Sequence, residues 1–314
     1  MTASGRRTKL ASGQKSTTLS CRIELPAGFR QSDVLAFHRR DAQQISERID
    51  GNALHKGLSW EGRPACLTFR FDQARVAVDL AIDGTLVNDG RERMERMARR
   101  MLGLTQRVEE FEQDYRAHPQ IGALIERSAG LRVPLAATPF EALNWAITGQ
   151  QISVSAAVSV RRKVIQAAGL QHSNGLWCFP DSRRFAKMAE QDLRQAGLST
   201  TKAQTLIALS ERIEKGLLPL DKWVDAPPVE EIRSELLAIR GIGPWTVSYV
   251  LLRGFGWLDG SLHGDVAVRR NLQVLLGKED KVREEEAKQW LAEFSPWRAL
   301  VAAHLWAMQK KEGY

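Results

Sequence analysis

Only three cysteines, Cys21, Cys66 and Cys178, occur in 314 residues. They are odd in number and far apart, so their spacing can build neither a disulfide framework nor a zinc knuckle. A reducing cytoplasm is the expected compartment. Long apolar runs are missing as well. No stretch reaches the roughly 18 residues of a membrane span, so no membrane partner is expected. Residues 1–18 lack the apolar core of a secretory leader, and they are too short and aperiodic for an amphipathic transit peptide. They read as a basic, solvated tail. No fixed-period repeat recurs, which argues against a solenoid.

The composition that remains is that of a soluble globular chain, 43% hydrophobic and 26% charged, long enough for two domains. The net charge is +8, and the tail supplies half of it through Arg6, Arg7, Lys9 and Lys15 with no acids. The other half belongs to the folded body. A basic surface suits an anionic partner, and nucleic acid is the commonest one.

Residues 19–103 are mixed in pattern. Ser20–Leu25 alternates weakly, and Gln31–Arg39 reads as a short helix. Ala65–Phe71 and Arg75–Ile82 alternate as strands about a turn at Asp72-Gln-Ala, and Arg91–Leu104 is a basic amphipathic helix. This half is expected to form a small antiparallel sheet with helices against it. From 104 to 314 strand signals vanish. Helical periods occupy Glu109–Ala117, Pro119–Arg127, Pro139–Gln150, Ser153–Ala168, Ser182–Ala196, Thr201–Glu214, Val229–Ile239, Trp245–Gly254, Val266–Leu276, Lys281–Glu293 and Trp297–Lys310. The expected class is therefore α+β, a sheet-containing domain followed by an all-helical one.

The most informative stretch is Leu237-Ala-Ile-Arg-Gly-Ile-Gly-Pro-Trp-Thr246. One helix ends near Ile239, a tight Gly241-Ile-Gly243 hairpin follows, and Pro244 suits the first turn of the next helix. The two glycines permit positive φ and leave backbone N–H groups bare at a helix start, a place that suits one phosphate. A Gly-x-Gly turn alone would favour a plain helical hairpin with a glycine cap. This one is followed, 22 residues after Gly243, by Asp265 before an apolar helical run. An Asp in that place is a good N-cap. It is also where the helix dipole and bare N–H groups stabilise negative charge. A fixed carboxylate can stabilise the oxocarbenium-like sugar of glycosidic hydrolysis or activate water against it. The two roles are compatible.

With these residues the sequence resembles the helix-hairpin-helix DNA glycosylase superfamily, and within it the bacterial 3-methyladenine DNA glycosylase II type. The resemblance is carried by Gly149-Gln-Gln-Ile-Ser-Val154, Cys178-Phe-Pro180, Gly197-Leu-Ser-Thr-Thr-Lys-Ala203, Gly241-Ile-Gly-Pro-Trp-Thr-Val-Ser-Tyr249, Leu251-Leu-Arg-Gly254, Pro296-Trp-Arg298 and His304-Leu-Trp306. It implies that Asp265 is the catalytic aspartate. It also implies that Trp245, Tyr249 and Trp306 are pocket aromatics, with Phe37 at the pocket edge and Gln150 beside them. The wedge that fills the gap left by a flipped base falls on Gln151, where an apolar residue is usual; either Gln151 plugs by hydrogen bonding or Ile152 takes that role. The backbone carbonyls of Leu237, Ile239 and Ile242 would hold a monovalent cation, with no other cofactor required.

Bifunctional members place a Schiff-base lysine where this chain has Trp245, and one branch adds four C-terminal cysteines for an iron–sulfur cluster, whereas none lies beyond Cys178. The expectation is a monofunctional enzyme, a monomer working with the nucleoid. It would release alkylated bases such as 3-methyladenine and 7-methylguanine from damaged double-stranded DNA in base-excision repair. An 8-oxoguanine-type glycosylase and a non-catalytic DNA-binding protein are the alternatives. The pocket, as read from these side chains, holds few placed polar groups besides the Tyr249 hydroxyl and Asp265. Selectivity is then expected from stacking of a cationic base on electron-rich rings.

Overall fold

The computed structural model describes residues 16–86 and 90–308. The basic residues up to Lys15, and the last two residues of the helix expected over 297–310, lie outside the described residues. The chain opens with β1 (Ser16–Glu24), α1 (Gln31–His38), β2 (Glu47–Asp50), β3 (Ala53–Trp60), β4 (Arg63–Phe71), β5 (Arg75–Asp83) and α2 (Arg91–Met101). The strands form one antiparallel sheet in the order β1-β5-β4-β3-β2. β1 starts earlier than the alternation suggested: Ser16, Thr17 and Thr18, read as tail, pair with Asp83, Ile82 and Ala81. It is an edge strand whose side chains are mostly exposed or half-buried, so its pattern is faint.

β2 and β3 were not legible. The middle of β3 holds Lys56 and Gly57, neither a strand former. Both are there for tertiary reasons. A Cβ on Gly57 would lie 2.1 Å from the Trp177 carbonyl oxygen. The segment Trp177-Cys178-Phe179 runs against β3 at that point, with Phe179 N–H donating to Gly57 O and Ser59 N–H to Phe179 O.

The helical part comprises α3 (Val108–Tyr115), α4 (Gly122–Arg127), α5 (Pro139–Gly149), α6 (Val154–Ala168), α7 (Ser182–Phe185), α8 (Glu190–Gln195), α9 (Thr200–Glu214), α10 (Val229–Leu237), α11 (Pro244–Phe255), α12 (Val266–Leu275), α13 (Glu284–Ala292) and α14 (Arg298–Ala307). The helix expected over Ser182–Ala196 is two, α7 and α8, because the chain turns between them to bury both Phe185 and Leu193. No described helix is long and apolar enough to cross a membrane. α5 and α11 approach closely, since a Cβ on Gly254 would lie 3.1 Å from Pro139 Cα. This pair brings the start of α11, the end of α5 and the α1 region to one cleft.

Buried charges join the two parts. The Lys56 ammonium of β3 contacts Glu47 of β2 and Glu141 of α5, Arg161 of α6 lies 2.8 Å from Glu141, and His38 Nδ1 is 2.9 Å from Glu47. Burial alone would push the Glu47 carboxyl up, but Lys56, Arg161 and His38 overcome it and hold it well below the usual carboxylate range. Glu141 is lowered against burial too, chiefly by Lys56 and Arg161. Burial pushes His38 down, and His304 down to about 4. All four groups bind protons less readily folded than unfolded, so unfolding takes up protons in acid. Stability should be fully present above pH 6.5, the ordinary histidine value. It should decline below that as the unfolded chain protonates its histidines, by up to about 1.4 kcal/mol per pH unit for each. A steeper loss should set in below 4.5, as the two carboxylates protonate in the unfolded chain. Urea midpoints measured from pH 8 to 4 check this; a midpoint that rises on acidification below 6.5 would contradict it.

Candidate active site

Asp265 stands at the start of α12 in an extended conformation, φ −73° and ψ 125°, and Leu262 buried behind it anchors the turn that sets it there. Its Oδ1 accepts the backbone N–H groups of Ala267 at 2.9 Å and Val268 at 3.0 Å. The indole N–H of Trp306 donates to the same oxygen at 3.2 Å, and that of Trp245 donates to Oδ2 at 3.1 Å. One side chain thus caps a helix and joins two aromatic rings. With a single bond on Oδ2 against three on Oδ1, Oδ2 is the oxygen with acceptor capacity left for a sugar or a water.

Trp245 is the second residue of α11 and Tyr249 lies one turn on, their ring centroids 5.3 Å apart. With Trp306 of α14 they line a cleft of about 960 Å³ that also reaches Gln150, Gln151, Ile152, Gly241 and Asp265. The structure therefore brings together most of the residues singled out in the sequence. Phe37 lines a small adjoining cavity, not the cleft itself.

Gln150 lines the cleft with its side-chain amide engaged. Its side-chain N–H groups donate to Gly241 O and Thr246 Oγ1, both at 3.0 Å, tying the end of α5 to the hairpin. Lys202 secures the same end by donating to the carbonyls of Thr148 and Gln150, at 2.9 and 2.7 Å. Gln151 follows in the left-handed region with φ 57°, unusual for a non-glycine residue. Ile152 is exposed beside it, 39% accessible. Both residues line the cleft.

At the hairpin, Gly241 has φ +93° and a Cβ there would sit 2.5 Å from Thr205 Oγ1, so glycine is required twice over. Gly243 departs from expectation. It is the N-cap of α11 with φ −107° and ψ 175°, ordinary extended backbone. What it contributes is room: nothing lies within 4 Å of a Cβ built there. The face of the hairpin stays open above the first N–H groups of α11, as an anion site needs.

Among the cleft residues that escaped the sequence reading are Trp145, Arg40 and Arg253. Arg40, just beyond α1, hydrogen bonds the Tyr249 side chain and lies over the Phe37 ring, 4.3 Å from its centroid. Arg253 is almost wholly buried, donates to Pro134 O at 2.8 Å, and lies 5.6 Å from the Trp306 centroid. The expected pocket of stacking rings with few placed polar groups is thus corrected. Two guanidinium groups stand at its inner end.

Comparison with known proteins agrees with this arrangement. Residues 145–296 match the HhH-GPD superfamily of base-excision DNA repair proteins, and residues 21–138 match the AlkA N-terminal domain. The chain is 32% identical over 200 residues to DNA-3-methyladenine glycosylase 2 of Escherichia coli, covering 62% of this chain and 67% of that protein. It is 24% identical over 289 residues to the DNA-3-methyladenine glycosylase of Bacillus subtilis, covering 90% and 95%. Solved structures that share the fold include two glycosylases. The 3-methyladenine DNA-glycosylase of Archaeoglobus fulgidus has a TM-score of 0.77 at 22% identity, over 91% of this chain and 97% of that one. An 8-oxoguanine glycosylase/lyase of Clostridium acetobutylicum has a TM-score of 0.70 at 15% identity, over 95% and 97%. The chain belongs to the helix-hairpin-helix superfamily of base-excision DNA repair proteins.

Proposed function

We propose that the protein is a monofunctional DNA glycosylase that flips an alkylated base out of duplex DNA and hydrolyses its N-glycosidic bond. The observation that carries this reading is Asp265, held by two indole N–H groups in a cleft beside the hairpin. A carboxylate so fixed faces the flipped sugar with an oxygen placed to stabilise developing positive charge at C1′ or to orient water. Trp245, Tyr249 and Trp306 supply flat surfaces for the extruded base. Gln151 and Ile152 fill the vacated stack, and the open hairpin face grips one phosphate. The names of the E. coli and B. subtilis relatives support alkylated bases as the substrate class.

A lyase reading has little to stand on. No lysine is among the described residues lining the cleft, and Trp245 uses its N–H on Asp265. A purely DNA-gripping module would not favour a carboxylate facing an anionic ligand. The carbonyls of Leu237, Ile239 and Ile242 are the candidate ligands of a monovalent cation. In support, Leu237 ends α10, where the helix dipole places partial negative charge, and Ile239 and Ile242 follow in the hairpin.

Asp265→Asn should lower single-turnover base release by about 10³-fold or more while duplex binding persists. Release within about tenfold of the wild type would remove Asp265 from the chemistry. Gly241→Ala should weaken duplex binding evenly across sequences and reduce the slope of log K against log salt by about 0.9, one phosphate contact. An unchanged affinity and slope would contradict a phosphate at the hairpin.

A further inference from the structure

The turn between α5 and α6 is closed in an uncommon way. A helix leaves its last carbonyls without partners in the helix, and a left-handed glycine often closes the end. Here the left-handed residue is Gln151, at φ 57°, and it is exposed. A residue with a Cβ is strained in that conformation, where glycine is not. Two of the orphan carbonyls are met by the chain itself at long range: Gln150 N–H reaches Ile147 O at 3.3 Å, and Ile152 N–H reaches Gly149 O at 3.5 Å. The other two, Thr148 O and Gln150 O, both accept from the Lys202 ammonium, at 2.9 and 2.7 Å. The shorter pair therefore comes from another helix, α9, and places a cation at the negative end of α5.

The same helix reaches the hairpin. Thr205 lies three residues beyond Lys202, on one face of α9, and its hydroxyl is 2.9 Å from Arg240 O. Gln150 closes the circuit by donating to Gly241 O. The turn and the hairpin are thus set against one helix at a fixed spacing. That spacing bears on extrusion. Side chains that fill a vacated stack enter while a nearby phosphate is gripped. A turn free to swing would lose conformational entropy at every entry, and a turn already held does not. Lys202 is not among the described residues lining the cleft with Asp265, so it acts through the turn and not on the base or sugar.

We propose that Lys202 is a positioning residue for base extrusion, holding Gln151 and Ile152 in the form that enters the duplex, an inference that rests on the glycosylase reading above. A glycine at 151 would close the turn without help but would leave no side chain there to fill the gap. The ammonium from α9 lets the turn keep one.

The test measures single-turnover release of 7-methylguanine from two duplexes. In one the lesion is paired with cytosine; in the other it is a one-nucleotide bulge with no partner, so there is no pair to open and no gap to fill. Lys202→Met should slow release from the paired duplex by about tenfold or more, the usual effect of losing hydrogen bonds to a charged group, and from the bulge by about threefold or less. Lys202→Arg should recover most of the loss, since it keeps the charge and the donors. Added to the double variant Gln151→Ala/Ile152→Ala, itself slow on the paired duplex, Lys202→Met should cost about threefold or less, because what it positions is gone. Melting temperature and binding to an abasic duplex report folding; Lys202→Gln takes the place of Lys202→Met if the latter is unfolded. Equal slowing on both duplexes, full additivity with the double variant, or unchanged release would each overturn this inference alone. So would a double variant as fast as the wild type. A wild-type protein that releases 7-methylguanine from neither duplex would overturn the glycosylase reading with it.

Discussion

A carboxylate that accepts four N–H groups has almost no freedom left, and Asp265 is that group here. Hydrogen bonds to a charged partner contribute about 1.5–3 kcal/mol each, more where water is thinned out. Two of the four are local and start α12. The other two reach 20 residues back to α11 and 41 residues forward to α14. One side chain thereby fixes the angle between three helices and sets two indole rings as the walls of the cleft. Catalysis through a developing cation needs such immobility, because a carboxylate that must reorganise during the reaction loses much of its effect.

The N-terminal sheet is part of the same device. Phe37 of α1 and Arg40 just beyond it precede its strand β2, beside Asp41 and Glu47, whose partners Arg162 and Arg161 lie in the helical part. Asp41 binds Arg162 of α6, and the Glu47–Lys56–Glu141–Arg161 cluster bridges β2, β3, α5 and α6. Removing one partner from such a buried cluster costs about 3–5 kcal/mol, because it strands the others without compensation. The sheet therefore acts as the mount for the inner end of the cleft. The fold alone leaves the substrate open: an 8-oxoguanine glycosylase/lyase shares it at a TM-score of 0.70.

How far the sequence could be read depended on whether a residue's reason was local. The hairpin and Asp265 were legible because glycine, proline and an N-capping carboxylate announce themselves within a few positions. Trp245 and Tyr249 followed from helical spacing joined to family resemblance. Lys56 and Gly57 hid β3, since a buried ammonium and a glycine under the Trp177 carbonyl make sense only once the chain has folded. Arg40 and Arg253 hid for the converse reason. In a sequence a charged side chain near a helix end reads as solvated, and nothing marks it as lying over Phe37. Gly243 was assigned a positive φ that only Gly241 uses; a pair of glycines does not say which one bends and which one makes room.

The account rests on hydrolysis driven by a carboxylate, without an amine nucleophile. The most direct measurement is cleavage of an end-labelled duplex carrying one 7-methylguanine, resolved with and without alkali after incubation with the wild-type protein. The account predicts an intact strand before alkali and, after it, a break at the lesion far above that of the same duplex treated without protein, the mark of an abasic site left by base release alone. A break without alkali, or none after it, would contradict it.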